Sequence, residues 1–304
     1  MALRFDGRVA VVTGGAGGLG RAYSALLAAR GAAVVVVDLG TDVAGTGAST
    51  APAEAVADEV RAAGGEAVSF AGDVTDAAGG EAIIEHAVAS YGRIDILINN
   101  AGILRDRSFG RLGEDDIRAV LDVHLLGTFN VTKPAWRCMR AQRYGRIVNT
   151  TSASGLLGNF GQANYAAAKM GIVGLTRALA LEGARHGIAV NAIAPLARTR
   201  MSEEALADAA ADLDPQLAAP VAAWLAHESC PVTGEIYSAA GGRVARYFIG
   251  LTSGYHSPLL TPEEVAEHLD TIRSTSGAST DLTSLRDELE LVRQFVTAQS
   301  PAVE

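Results

Sequence analysis

Short β-branched, almost wholly apolar runs alternate along this chain with longer segments of helical period, and that alternation constrains the fold more than any other feature. The runs Val9–Thr13, Ala33–Asp38, Ala67–Phe70, Ile94–Asn99, Arg146–Thr150 and Ile188–Ile193 read as strands, with a seventh at Glu235–Ala239. Nearly continuous hydrophobicity means that both faces of such strands are buried. Between them Gly18–Arg30, Ala53–Ala63, Gly80–Tyr91, Asp115–Gln142 and Tyr165–His186 read as helices. The expected fold is α/β: a doubly wound Rossmann-type parallel sheet with helices on both faces. Ligands of such sheets bind at the carboxyl ends of the strands.

Two segments depart from the alternation. Gly40–Thr50 is rich in Gly, Ala, Thr and Ser and reads as a long loop. Beyond Gly242 the strand pattern stops, so residues 1–242 are expected to form the sheet domain and 243–304 a helical extension. Thr261–Ser274 and Leu282–Thr297 carry the caps and acidic first turns of helices. Tyr247, Phe248, Leu251, Tyr255, Leu259 and Leu260 precede them, an apolar stretch that needs covering. The extension is expected either to pack outside its own domain or to lie across a substrate crevice, its own or a partner subunit's.

Composition excludes several roles. A net charge of −9 disfavours nucleic acid as a partner. Cys138 and Cys230 lie too far apart for a metal motif and suit a reducing compartment. No apolar run is long enough to span a membrane. Neither end carries a signal peptide or a Ser-Lys-Leu address, so a soluble, cytoplasmic protein without a metal is expected.

The first strand runs into Gly14-Gly15-Ala16-Gly17-Gly18-Leu19-Gly20 and then a helix. Glycines at Gly14, Gly18 and Gly20, with Leu19 between, let backbone amides approach a pyrophosphate at the positive end of that helix. Asp38 closes the second strand, where a carboxylate accepts hydrogen bonds from ribose hydroxyls and repels a 2′-phosphate. No Arg or Lys in the loop or just after Asp38 offsets that repulsion, so NAD is expected over NADP. Asp73-Val74 would meet the adenine, and Asn100, Ala101 and Gly102 would let backbone pass close to the cofactor. Asn99 and Asn100 are equally readable as ties between strands.

Tyr165 and Lys169 stand four apart at the start of a helix and so share a face. A phenol titrates near pH 10, and a neighbouring ammonium stabilises its phenolate. The chain has only two lysines, Lys133 and Lys169, among its 25 basic residues, so a lysine here needs a reason. Ser152 lies just past the fifth major strand, where its hydroxyl can hold a substrate oxygen; Thr151 and Ser154 are its rivals.

Together these residues resemble the short-chain dehydrogenase/reductase superfamily over roughly residues 5–242. Thr13-Gly14, Gly18 and Gly20 match its TGxxxGxG loop, Asn99-Asn100-Ala101-Gly102 its NNAG element, and Ser152 with Tyr165-Ala-Ala-Ala-Lys169 its catalytic serine and YxxxK. Within it, Arg4–Arg8, Gly102–Phe109, Thr151–Gly155, Gly158–Tyr165 and His227–Cys230 are similar to the (3R)-hydroxyacyl-CoA dehydrogenases of peroxisomal multifunctional enzymes. The resemblance implies oxidation of a 3-hydroxyacyl-CoA to a 3-oxoacyl-CoA, with a 17β-hydroxysteroid or steroid side-chain CoA as alternative substrate, in a homodimer. Tyr165 would remove the hydroxyl proton, Lys169 would lower the Tyr165 pKa and bind the nicotinamide ribose, and the loop after Pro195 would offer Thr199 to the carboxamide. Arg105, Arg107, Arg198 and Arg200 favour the thioester, since CoA calls for a basic pocket mouth. A non-catalytic NAD-binding regulator is the remaining alternative, and the intact Ser152/Tyr165/Lys169 set argues against it. The chain departs from the superfamily at His124, where an Asn is usual, and at Leu196, where a Gly is usual. His124 can bind water, hold backbone or simply pack.

Overall fold

In the computed structural model, which describes residues 2–202, 213–276 and 280–298, eight strands form one sheet in the order β3-β2-β1-β4-β5-β6-β7-β8. The strands are β1 (Val9–Thr13), β2 (Ala33–Val37), β3 (Glu66–Phe70), β4 (Ile96–Asn99), β5 (Gly145–Thr150), β6 (Ile188–Leu196), β7 (Ile236–Ala240) and β8 (Arg243–Tyr247). Every pairing from β3 to β7 is parallel. The order reverses between β1 and β4, which opens a crevice at their carboxyl ends.

Side-chain alternation builds two cores from the same strands. Ala10, Val12, Val34, Val36, Ile96 and Ile98 face one way, onto α1 (Gly18–Ala29) and α2 (Ala51–Ala62). Val11, Val35, Val37 and Leu97 face the other way, onto α3 (Ala77–Tyr91) and its neighbour across the chain, α5 (Gly127–Gln142). That double burial is why these strands carry almost no polar residue.

Three expectations need correction. The segment Asp115–Gln142 is not one α-helix: α4 (Glu114–Leu121) passes through a π-helical turn, Asp122–Leu126, into α5. Hydrophobic period does not register the one inserted residue of such a turn. The strand expected at Ile188–Ile193 continues to Leu196. The strand pattern also does not stop at Gly242. Gly241 and Gly242 take φ of +52° and +78°, and this two-residue turn returns the chain as β8 at the sheet edge. Two arginines, Arg243 and Arg246, hide that strand from a search for apolar runs.

After β5 come α6 (Ala153–Leu157), α7 (Ala163–Gly183) and, beyond β6, α8 (Ala219–Ala226). The chain divides into two compact units, Met1–Arg246 and Tyr247–Glu304. Within the second, β9 (Gly250–Leu251) pairs antiparallel with β10 (Thr280–Asp281). It also holds α9 (Pro262–Glu267), entered through a Thr261/Glu264 capping box, then α10 (Leu269–Arg273) and α11 (Leu285–Ala298). Among the described residues no helix is long and apolar enough to cross a membrane.

Candidate active site

A cleft opens at the carboxyl ends of β1, β2 and β4. Gly14, Gly18, Leu19, Asp38, Asp73, Val74, Asn100, Ala101, Gly102 and Thr199 all line it. Gly20 and Pro195 do not. Gly20 lies under the loop, where a Cβ would come within 2.0 Å of the Gly14 carbonyl oxygen, and Pro195 sits in β6 opposite Ala239.

The chain end of β1 is bolted to that of β4. Thr13 Oγ1 accepts from the amides of Asn100 (3.0 Å) and Ala101 (3.2 Å). Asn100 Nδ2 donates to the carbonyls of Thr13 (3.2 Å) and Gly14 (3.1 Å). Asn100 therefore holds the glycine loop in shape while lining the cleft. Asn99 is turned away, bonded to Thr132 and Asn149, and Asn149 in turn to Thr176.

Helix α1 has Gly17 as its N-cap and so no side-chain cap, and its first turn holds no acidic residue. Its first amides thus lack side-chain partners and face the cleft, which suits a pyrophosphate. Asp38 Oδ2 accepts from Ala16 N (3.0 Å) and Oδ1 from Gly40 N (2.8 Å). Each oxygen keeps a lone pair, so the carboxylate can still accept two ribose hydroxyls. These features fit a dinucleotide. Thr199 packs its methyl where a Gly18 Cβ would stand, 2.9 Å away, and its hydroxyl is engaged by Ser202 and the Met201 amide.

The structure brings Ser152, Tyr165, Lys169 and His124 together beside this cleft. β5 delivers Ser152 as N-cap of α6, its Oγ accepting from Ser154 N at 3.1 Å. The Ser152 hydroxyl also hydrogen-bonds the Tyr165 phenol. Of its rivals, Thr151 turns its hydroxyl to the Lys169 carbonyl, 2.7 Å. Lys169 is buried, its Nζ donating to the Thr150 carbonyl at 2.6 Å and standing 5.5 Å from the Tyr165 ring centre. A side chain at Gly155 would run into Lys169 Cβ at 2.7 Å, so α6 can cross α7 there only on a glycine.

The electrostatics differ from expectation. Burial pushes the Tyr165 phenol up to about 12; the Ser152 hydrogen bond opposes this and the Asp106 charge adds to it. Burial pushes Lys169 down to about 7. Desolvation of both groups outweighs the help a charged lysine gives a phenolate. Asn164, next to Tyr165, fixes the start of α7 by donating to the carbonyls of Arg105 (3.1 Å) and Asp116 (3.2 Å).

His124 occupies the π-helical turn and is buried. Its Nε2 meets both the amide (3.1 Å) and the carbonyl (2.8 Å) of Ile103, and Nδ1 has no hydrogen-bond partner among the described residues. Its ring meets that of Tyr165 edge-on, centroids 5.1 Å apart. Burial first, then the Lys169 charge, hold its pKa well below the ordinary range, so it is neutral. Of the readings open from the sequence, this geometry shows backbone holding and packing.

One feature escaped sequence reading: Thr41, Asp42, Val43 and Gly45 also line the cleft, and spacing carries no signal for them, although the length of the loop after Asp38 hinted at it. Arg200, expected at a pocket mouth for CoA, lines the cleft instead, its guanidinium approaching Gly17 from the loop after β6. Arg105 and Arg107 are both tied to Asp116, so the basic pocket mouth expected from four arginines is smaller than the sequence suggested.

The chain is similar to known proteins over most of its length. Peroxisomal multifunctional enzyme type 2 of Mus musculus is 46% identical over 282 residues, 91% of this chain and 38% of that protein. Peroxisomal hydratase-dehydrogenase-epimerase of Saccharomyces cerevisiae is 50% identical over 241 residues, 79% of this chain and 27% of that protein. The solved full-length peroxisomal multifunctional enzyme type 2 from Drosophila melanogaster matches 99% of this chain and 51% of its own, at 38% identity and a TM-score of 0.81. The chain thus spans about half or less of the length of these relatives. The model of the short chain dehydrogenase family matches residues 8–210, across the glycine loop and the Ser152/Tyr165/Lys169 cluster, and the chain belongs to that family.

Proposed function

We propose that this chain oxidises (3R)-3-hydroxyacyl-CoA to 3-oxoacyl-CoA with NAD. One observation carries the reading: Ser152, Tyr165 and Lys169 meet at the end of β5, beside a cleft whose glycine loop, uncapped helix and Asp38 fit a dinucleotide. The bound nicotinamide supplies the hydride acceptor and a positive charge. Gly14, Gly18 and Leu19 would hold its pyrophosphate, Asp38 the adenosine ribose, Asp73 and Val74 the adenine, and Gly102 and Thr199 the nicotinamide side.

The side chains handle the proton. Ser152 donates to the substrate oxygen and fixes it against Tyr165 Oη. Tyr165 accepts the hydroxyl proton as its phenolate, a form that its high resting pKa makes scarce unless positive charge is close. Below its lowered pKa of about 7, Lys169 supplies part of that charge, and its Nζ donates to the Thr150 carbonyl. His124 stays neutral and holds the Tyr165 ring edge and the Ile103 wall in register.

The thioester class is supported by the relatives rather than by the arginines. NAD over NADP is supported by Asp38, with Arg200 as a counterweight near Gly17. A homodimer is supported by exposed Leu126, Phe129, Met170 and Leu181 around α5 and α7. The test is NADH formation from (3R)-3-hydroxyacyl-CoA thioesters of several lengths, beside the (3S) epimers and a 17β-hydroxysteroid. The R thioesters should turn over best. Turnover of the steroid alone would move the substrate class, and no turnover of any alcohol would end the enzymatic reading.

A further inference from the structure

Residues 40–49 form a closed loop with a structure of its own. Its neck is tied by Ser49 N donating to the Leu39 carbonyl, 2.9 Å. Its tip is folded around Asp42, whose amide donates to the Thr46 carbonyl (2.9 Å) and whose Oδ1 accepts from Ala44 N (2.9 Å) and Thr46 N (2.8 Å). Gly45, at φ +86°, makes the bend. Such a unit can move as one piece about its neck.

The tip reaches across the crevice and docks on the segment that follows β4. Leu104 N donates to the Val43 carbonyl at 2.9 Å, and Arg105 Nε donates to the Ala44 carbonyl at 3.0 Å. Ile103 fills the space beside Gly45, 3.2 Å from where a Cβ would stand. The Arg105 guanidinium is steadied behind by Asp116, 3.8 Å away. The receiving segment is firm, since Ile103 is clamped by His124 and the Arg105 carbonyl by Asn164. The loop itself is mostly exposed, with few contacts to resist opening. Its residues line the same cleft as Asp38, Gly18 and Gly102.

We propose that residues 40–49 are a strap that closes over the bound dinucleotide and that Arg105 is its latch, so that release of the strap from Arg105 and Leu104 sets the rate of cofactor exchange. The proposal rests on the dinucleotide reading of the cleft and adds a moving part to it. Arg105 is a positioning residue here: it touches the strap, not the reacting atoms.

The experiment is stopped-flow dissociation of NADH from the full-length protein, followed by nicotinamide fluorescence. It compares the unaltered chain with Arg105→Leu, which removes the latch, and Gly45→Val, which displaces the tip against Ile103 and leaves Arg105 in place. Both variants should release NADH roughly tenfold faster or more, since affinity differences between close variants fall mostly in the off-rate. Arg105→Lys, which keeps a donor without the fork, should recover part of the slow release. Hydrogen exchange should show the amides of residues 40–49 gaining protection when NADH binds the unaltered chain and losing that gain in Arg105→Leu. Dissociation unchanged in both variants, or no protection gained on binding, overturns the strap while leaving the cleft as the cofactor site. Failure of the unaltered chain to bind NADH removes the dinucleotide reading and the strap with it.

Discussion

Tyr165 starts far from the pKa of a useful base, because burial holds its phenol at about 12. Below that value the phenolate fraction rises about tenfold per pH unit, so alcohol oxidation should speed up steadily toward alkaline pH. A kcat/KM that is flat from neutral pH upward would point to a different base or to a non-chemical limiting step. Lys169 makes the opposite statement about stability. Its folded pKa, about 7, lies below its ordinary 10.5, so between those values the folded state binds fewer protons than the unfolded one. Stability should therefore rise with pH through that window and lose this contribution as pH falls toward 7. Lys169→Met should flatten the slope in thermal melts across that range while cutting turnover roughly a hundredfold or more. At Asp38, substitution by Ala should narrow a preference for NAD over NADP that we expect to be at least about tenfold in kcat/KM, near 1.4 kcal/mol. The residues of this cluster were legible because Tyr165 and Lys169 sit one helical turn apart and Ser152 follows a strand. The role of His124 was not, because the π-helical turn that aims it at Ile103 and Tyr165 leaves no mark in hydrophobic spacing.

Among elements, the join between β4 and the π-helical turn is tightly fitted. A Cβ at Gly102 would lie 2.3 Å from His124 Cε1, and His124 has Tyr165 on its other side. Gly102→Ala should therefore destabilise by about 1–3 kcal/mol, the usual cost of overpacking, and lower kcat more than NAD affinity. Thermal melts beside steady-state kinetics check both halves, and an unaffected kcat would mean the His124–Tyr165 contact is only packing. Six strands, though not their order or register, could be read from apolar runs because both of their faces are buried. The edge strand β8 could not, because edges carry charge to discourage pairing, and its entry depends on the paired glycines Gly241 and Gly242. The strap also escaped reading: its order comes from Asp42 bonding its own neighbours and from partners at Leu104 and Arg105, some sixty residues away in the chain.

At the scale of the molecule, both core clusters draw, among the described residues, on Phe5 to Ala239, and the sheet closes with β8. A chain ending at Ile249 keeps all of these and should unfold cooperatively and bind NAD, as calorimetry and fluorescence titration would show. Aggregation or loss of binding would show that the first unit needs the second. The family and the sheet were legible at this scale, whereas the substrate class came through the resemblance alone, since the arginines expected at the pocket mouth are partly spent on Asp116. In the proposed reaction Tyr165 takes the proton of a hydroxyacyl thioester while the cofactor site stands apart from it. The decisive measurement is NADH formation from a (3R)-3-hydroxyacyl-CoA by the unaltered chain and by Tyr165→Phe, with NAD affinity determined for both. The account predicts turnover in the first, a loss of about a hundredfold or more in the second, and little change in NAD affinity. Near-normal turnover by Tyr165→Phe would contradict it.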